Sequence, residues 1–292
     1  MTAPPVIDHF GPLADAYTGF IFDLWGVVHN GVAPFPGVPE ALRTLRRQGR
    51  PVVFLSTAPR RAAAVAGRLD ALGVTRDLYD AVLSSGEVTF HELTTRADPA
   101  FAALGARARV IGLPDDRSVA EDVPGLTVVR DTADADFLLN IGPPPDPGVT
   151  VADYADLLAD SAARGLPMVC ANPDVEVRVG GDLVICAGAL AARYEALGGR
   201  VIRRGKPDPA VYDACLARMG EAGHGRVLVV GDALPTDVRG AKAAGLDALL
   251  VAGGIHAERF LDATGAVRPE AVAAACAEEG LDPVAVTDAV RW

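Results

Sequence analysis

Apolar positions fall along this chain in two patterns: short unbroken runs, and longer stretches in which they recur every three or four residues. The runs at 20–24 (FIFDL), 51–55 (PVVFL), 226–230 (RVLVV) and 248–251 (ALLV) have the length and composition of buried strands. Residues 38–47 carry Val38, Ala41, Leu42 and Leu45 at the spacing of one helix face, and 60–72 and 236–244 read as further helices. Strands alternating with helices predict βαβ units around a parallel sheet, with the two ends of the chain forming halves of one sheet. Between them the texture changes. Short strands are expected at 108–111, 127–129, 137–141 and 168–171, separated by clusters such as GPPPDPG, with one helix at 151–163. The expected organisation is an α/β core of residues 1–85 and 189–292 with a doubly wound parallel sheet, and an inserted α/β domain over 86–188. Its hinges are expected at Ser84-Ser85-Gly86 and from Gly180-Gly181 to Gly188.

One carboxylate, Asp23, ends the first apolar run, where an unpaired charge is costly. Ligands of an open parallel sheet sit beyond the carboxyl ends of its strands, so polar residues that follow apolar runs are the ones to collect. Ser56 and Thr57 follow the second run, Lys206 lies in RRGKPDPAVYDACL, Asp232 follows VLVVG, and Asp237 stands five residues later at the start of a helix. Singly, these read as turn residues, caps, a solvated charge and an acid at a helix start. Together they read differently. Carboxylates converging on one sheet edge repel unless a divalent cation neutralises them, and a set of oxygen ligands points to Mg²⁺. A lysine and a hydroxyl beside such a cation suit an anionic group, with phosphate the natural candidate.

Composition narrows the partners. With 27 Lys and Arg against 38 Asp and Glu, the formal charge of -11 argues against nucleic acid and anionic membrane. The first residues show no basic segment leading into an apolar run, and no stretch approaches about 18 uninterrupted apolar residues, so a soluble, cytoplasmic protein is expected. Cys170, Cys186, Cys215 and Cys276 form no CxxC, and His9, His29, His91, His224 and His256 never fall at metal-binding spacings. Dinucleotide and P-loop motifs are missing too, since Gly205-Lys206 is followed by Pro207.

The ordered set DLWGVVHNG, FLSTAPR, GKPDPAVYDACL and VLVVGDALPTDVRGAKAAG resembles the haloacid dehalogenase superfamily, in its class IIA branch of NagD-like and nitrophenylphosphatase-like enzymes. CANPD at 170–174 and CAGAL at 186–190 look like the cap exit of that branch. The resemblance covers about residues 20–254. It implies a Rossmann-like core with a C2-type cap, and hydrolysis of a small phosphorylated metabolite through an aspartyl-phosphate on Asp23. Mg²⁺ would be held by Asp23, the Trp25 main-chain carbonyl and Asp232, with Asp237 holding its waters. Ser56 and Lys206 would grip the phosphoryl oxygens, and Thr57 with the main-chain N–H groups near Gly26 and Val27 would complete the cradle. Asn172, Asp174, Glu176 and Arg178 are the expected rim residues of the cap, although Asn-Pro-Asp is also a good turn. Caps of this branch often support homodimers.

Trp25 departs from the pattern. Phosphatases of the superfamily usually read DxD, and the second Asp protonates the leaving group. General acid–base catalysis typically contributes about 10² to 10⁴-fold, so its loss would be felt. His29, in the flap after the strand, is a candidate replacement acid. A leaving group that needs no protonation is a second way out. A slow, ligand-binding or regulatory protein, or a hydrolase of another bond, is the alternative. Trp25→Asp should raise activity if only the proton carrier is missing.

Overall fold

The computed structural model describes residues 3–113, 117–179 and 182–292, so the expected hinge at Gly180-Gly181 lies outside the described residues. The described strands, in chain order, are β1 (Gly19–Phe22), β2 (Val52–Ser56), β3 (Ala81–Ser84), β4 (Arg107–Ile111), β5 (Thr127–Val129), β6 (Phe137–Asn140), β7 (Met168–Cys170), β8 (Glu176–Val179), β9 (Asp182–Ile185), β10 (Val201–Arg203), β11 (Val227–Gly231), β12 (Asp247–Val251) and β13 (Ala285–Thr287). They fall into two compact units. The first comprises Met1–Ser56, Ala66–Leu83 and Lys206–Trp292; the second comprises Thr57–Val65 and Ser84–Gly205.

A six-stranded sheet in the order β13-β12-β11-β1-β2-β3 organises the first unit. β1 pairs in parallel with β11 on one side and β2 on the other, with Phe22 opposite Val230 and Phe54. All four residues of β1 are buried, as expected of a strand covered on both faces, which explains its unbroken apolar run. The helix Val38–Arg47 matches the predicted span. Gly37 opens it in the left-handed region at φ 91°, Pro39 lies in its first turn, and Arg46 and Arg47 lie in its last. Its buried residues include the expected Val38, Ala41, Leu42 and Leu45. The helix expected at 236–244 begins instead with a wide π-type turn, Leu234–Val238, before Arg239–Ala243.

The second unit has its own parallel sheet, β10-β7-β6-β4-β5, and an antiparallel hairpin of β8 and β9. One face of the sheet packs Phe101, Phe137, Leu139 and Val169; the other packs Leu138, Met168, Leu190 and Tyr194. The expected boundary at 188 falls inside this unit, which continues to Gly205. The reason is packing. The helix Ala187–Ala196 covers one sheet face, and Val201–Arg203 pairs with Met168–Cys170 as an edge strand. Only Val201 and Ile202 are apolar there, flanked by Arg200, Arg203 and Arg204, too few to read as a strand. Where the first hinge was expected, Ser84 caps the helix Ser85–Thr95, its hydroxyl accepting the Glu87 N–H at 3.1 Å.

Candidate active site

β1 and β11 run side by side in the same direction, so their carboxyl ends meet at one edge of the sheet. Asp23 follows β1 directly and Asp232 follows β11 directly. The π-type turn after β11 brings Asp237 back over the same edge. Lys206 arrives from just ahead of the helix Pro209–Arg218, and its Nζ donates to Asp23 Oδ1 and to Asp237 Oδ1, both at 2.6 Å. Asp23, Asp232 and Asp237 each offer a carboxylate oxygen within 4.8 Å of the others. All four side chains are buried, Lys206 at 2% exposure and Asp237 at 1%.

One ammonium among three buried carboxylates leaves the cluster short of positive charge. Burial first, then the charges of Asp23 and Asp237, push the pKa of Asp232 well above the usual carboxylate range, against the Ile255 N–H that its Oδ2 accepts at 2.6 Å. For Lys206, burial opposes the charge. The carboxylates of Asp23 and Asp237 prevail and hold its pKa well above that of a free lysine. Three oxygen donors at this separation with a deficit of positive charge fit a hard divalent cation.

The main chain is shaped around the cluster. A Cβ added at Gly26, whose φ is +84°, would lie 2.0 Å from Asp232 Oδ2, and one at Gly254 would lie equally close. At Gly231 it would meet Asp237 Cβ at 2.2 Å. The buried Tyr212 hydroxyl lies 3.1 Å from the Thr236 carbonyl and 3.3 Å from that of Asp237, bracing the turn that carries the acid. Sequence reading missed Gly231, Gly254 and Tyr212. The signal available was the Gly-Asp pair at 231–232 and the Gly-Gly pair at 253–254.

The remaining predicted residues divide. Ser56 ends β2 and is buried in the first unit. The Gly26 N–H donates to the His29 carbonyl at 3.0 Å, so it serves the flap rather than a phosphate cradle; Val27 is buried beside it. Thr57, Asn172 and Asp174 belong to the second unit, where the Thr57 hydroxyl donates to Asp174 at 2.5 Å. Asn172 is buried and its Oδ1 accepts the Asp174 N–H at 3.0 Å, which fits the turn reading of Asn-Pro-Asp. Glu176 and Arg178 lie on β8 of that unit.

His29 has an environment unlike the one expected of a replacement acid. It is 5% exposed, and its Nδ1 accepts the Gly31 N–H at 3.0 Å. Burial, with a smaller push from the charge of Arg68, lowers its pKa to about 4. A ring neutral at pH 7, with one nitrogen tied to the flap, fits a structural role better than proton donation.

Over 97% of its length the chain superposes on 99% of a solved haloacid dehalogenase-like hydrolase from Brucella suis, with TM-score 0.80 and 31% identity. The chain belongs to the haloacid dehalogenase-like hydrolases. Family models of that description match residues 20–124 and 203–278, the two segments that carry the four acid-site residues. D-glycerol 3-phosphate phosphatase of Mycobacterium tuberculosis is 30% identical over 84% of this hydrolase, which spans 65% of that relative. A glycerol phosphate phosphatase of the same bacterium has been solved with magnesium; it is 30% identical, TM-score 0.63, over 83% of this chain and 70% of that one. Ribonucleotide monophosphatase NagD of Escherichia coli is 28% identical over 83% of this chain and 90% of its own, in keeping with the class IIA branch.

Proposed function

We propose that this hydrolase is a phosphatase of a small phosphorylated metabolite, of the sugar phosphate or nucleotide type, working through Asp23 with Mg²⁺. The observation that carries the reading is the buried group of Asp23, Asp232 and Asp237 with Lys206 bridging two of them. Asp23, Asp232 and the Trp25 carbonyl would hold the cation, with Asp237 beside them. When bound, the cation offsets the charge of the phosphate and of its attacker.

The chain's own residues supply the rest. An Asp23 oxygen bonds to phosphorus as the bond to the leaving oxygen breaks, giving a mixed anhydride and an alcohol once that oxygen gains a proton. Water then attacks the phosphorus, releases inorganic phosphate and restores the carboxylate. The Lys206 ammonium and the Ser56 hydroxyl face charge that spreads over the phosphoryl oxygens, and Lys206 keeps Asp23 ionised meanwhile. The second unit is the inserted cap of the family in this reading. A binding or regulatory protein, the alternative suggested by Trp25, has no support from the named relatives, which are phosphatases.

Inorganic phosphate release from a panel of sugar phosphates, nucleotides and para-nitrophenyl phosphate, with and without Mg²⁺, tests the proposal. Turnover should require the cation and vanish in Asp23→Asn. A panel without turnover, or full activity in Asp23→Asn, overturns it.

A further inference from the structure

Trp25 stands where the family pattern has an acid, and its surroundings are built for an indole. The ring is half-buried. It meets the His29 ring edge-on, with centroids 5.3 Å apart and planes at 74°. It lies against the main chain of Gly31, where an added Cβ would come within 2.5 Å of Cη2 and 2.8 Å of Cζ2. Gly31 is pinned from both sides. Its N–H donates to His29 Nδ1 at 3.0 Å and its carbonyl accepts from Arg68 Nη2 at 2.6 Å. His29 closes the ring by accepting the Gly26 N–H on its carbonyl and donating its own N–H to Leu24, both at 3.0 Å.

What this assembly holds in place is the main chain at 25–26. Gly26 leaves no room for a side chain against Asp232 Oδ2, so the backbone there packs directly on a carboxylate of the acid cluster. Shift that backbone by an ångström and the oxygens around the cluster no longer face one point, which hard cations tolerate poorly.

We infer that the Trp25 indole is a positioning residue: clamped between His29 and Gly31, it fixes the 25–26 main chain over Asp232 and thereby sets the affinity for the divalent cation. The inference rests on the proposed function for the presence of that cation, and it reverses one expectation from the sequence. Trp25→Asp removes the anchor, so it weakens cation binding rather than improving catalysis.

Mg²⁺ binding to the whole protein, measured by titration calorimetry beside thermal melting without metal, tests this. Trp25→Ala and Trp25→Asp should weaken binding tenfold or more, while Trp25→Phe, which keeps an aromatic face, stays within about threefold of the wild type. Gly31→Ala drives a methyl into the indole, on top of the strain of its φ of +86°, and should also weaken binding, but less when introduced into Trp25→Ala, where the collision is gone and only that strain remains. Arg68→Ala, which frees the Gly31 carbonyl without touching the indole, provides a route if Trp25→Ala melts too low to assay; it should lower affinity severalfold. Wild-type affinity in Trp25→Ala or Trp25→Asp, or additive losses in the Gly31 and Trp25 pair, overturns the inference alone. A wild-type protein that binds no Mg²⁺ overturns it together with the proposed function.

Discussion

Lys206 is the residue on which the acid cluster depends. It is buried, it touches two carboxylates, and its ammonium counters part of their charge. Lys206→Met should cost about 3–5 kcal/mol in urea unfolding, because removing one partner strands buried charge. Phosphate release should fall at least about 100-fold, the scale of losing one donor to developing charge. The cysteines predict the opposite kind of behaviour, inertness. Burial pushes the thiols of Cys170 up to about 11 and of Cys186 and Cys215 up to about 12, and raises Cys276. They stay protonated at pH 8, so a thiol reagent should label none of them in the native protein and all four after denaturation. The sign for stability follows from the raised values. Unfolded thiols ionise near about 8.5, so this contribution is whole below that pH and is lost as pH climbs towards 11 to 12. Urea midpoints measured from pH 8 to 10.5 should fall accordingly.

At the scale of elements, the site is made by strand ends and by the turns that leave them. Gly254 follows β12 by a few residues and crowds Asp232. Gly254→Ala would place its methyl 2.0 Å from Asp232 Oδ2, so Mg²⁺-dependent turnover should drop by tenfold or more. Gly49→Ala is the control. Its φ of +69° carries a left-handed penalty of about 1 kcal/mol, which Gly254 does not share, but nothing lies within 4 Å, so the melting temperature should fall slightly and turnover should not change. The same elements show what the sequence could reveal. Asp23, Ser56 and Asp232 were visible because each is a polar residue breaking or following an apolar run, and a parallel sheet puts such ends together, whereas Lys206 was visible only through the stretch RRGKPDPAVYDACL. The glycines against the carboxylates were not visible, because a glycine's reason lies in what approaches it from elsewhere in the chain. The wide turn at 234–238 reads as ordinary helix by periodicity, and β10, with two apolar residues among arginines, reads as nothing. Trp25 was visible as an anomaly, whereas its seat on Gly31 was not.

On the scale of the whole molecule, the first unit draws its sheet from both ends of the chain. Val6 bridges to Val286 at the β13 edge, and the Phe10 N–H donates to the Arg291 carbonyl at 2.6 Å. Trp292 meets the Phe10 ring edge-on at 6.0 Å and covers Gly11. Phe10 in turn packs on Phe20 and Phe22 of β1. Trp292→Ala should therefore lower unfolding free energy by about 1–3 kcal/mol through lost apolar burial and leave kcat unchanged. Equilibrium unfolding beside steady-state kinetics measures both. Among the described residues no helix is long and apolar enough to cross a membrane, and the net negative charge stands against broad affinity for polyanions.

The central pairing of β1 with β11 joins segments roughly two hundred residues apart. On a ribosome, Asp23 emerges early and waits with one flank of its strand bare until Val227–Gly231 has been made. The second unit, whose sheet strands all lie between Arg107 and Arg203, has its full complement sooner and is free to fold first. Distant pairings of this kind slow folding. Synthesis stalled just short of β11 should leave a nascent chain with one folded half, and Asp23 exposed to solvent with neither Asp232 nor Asp237 yet made.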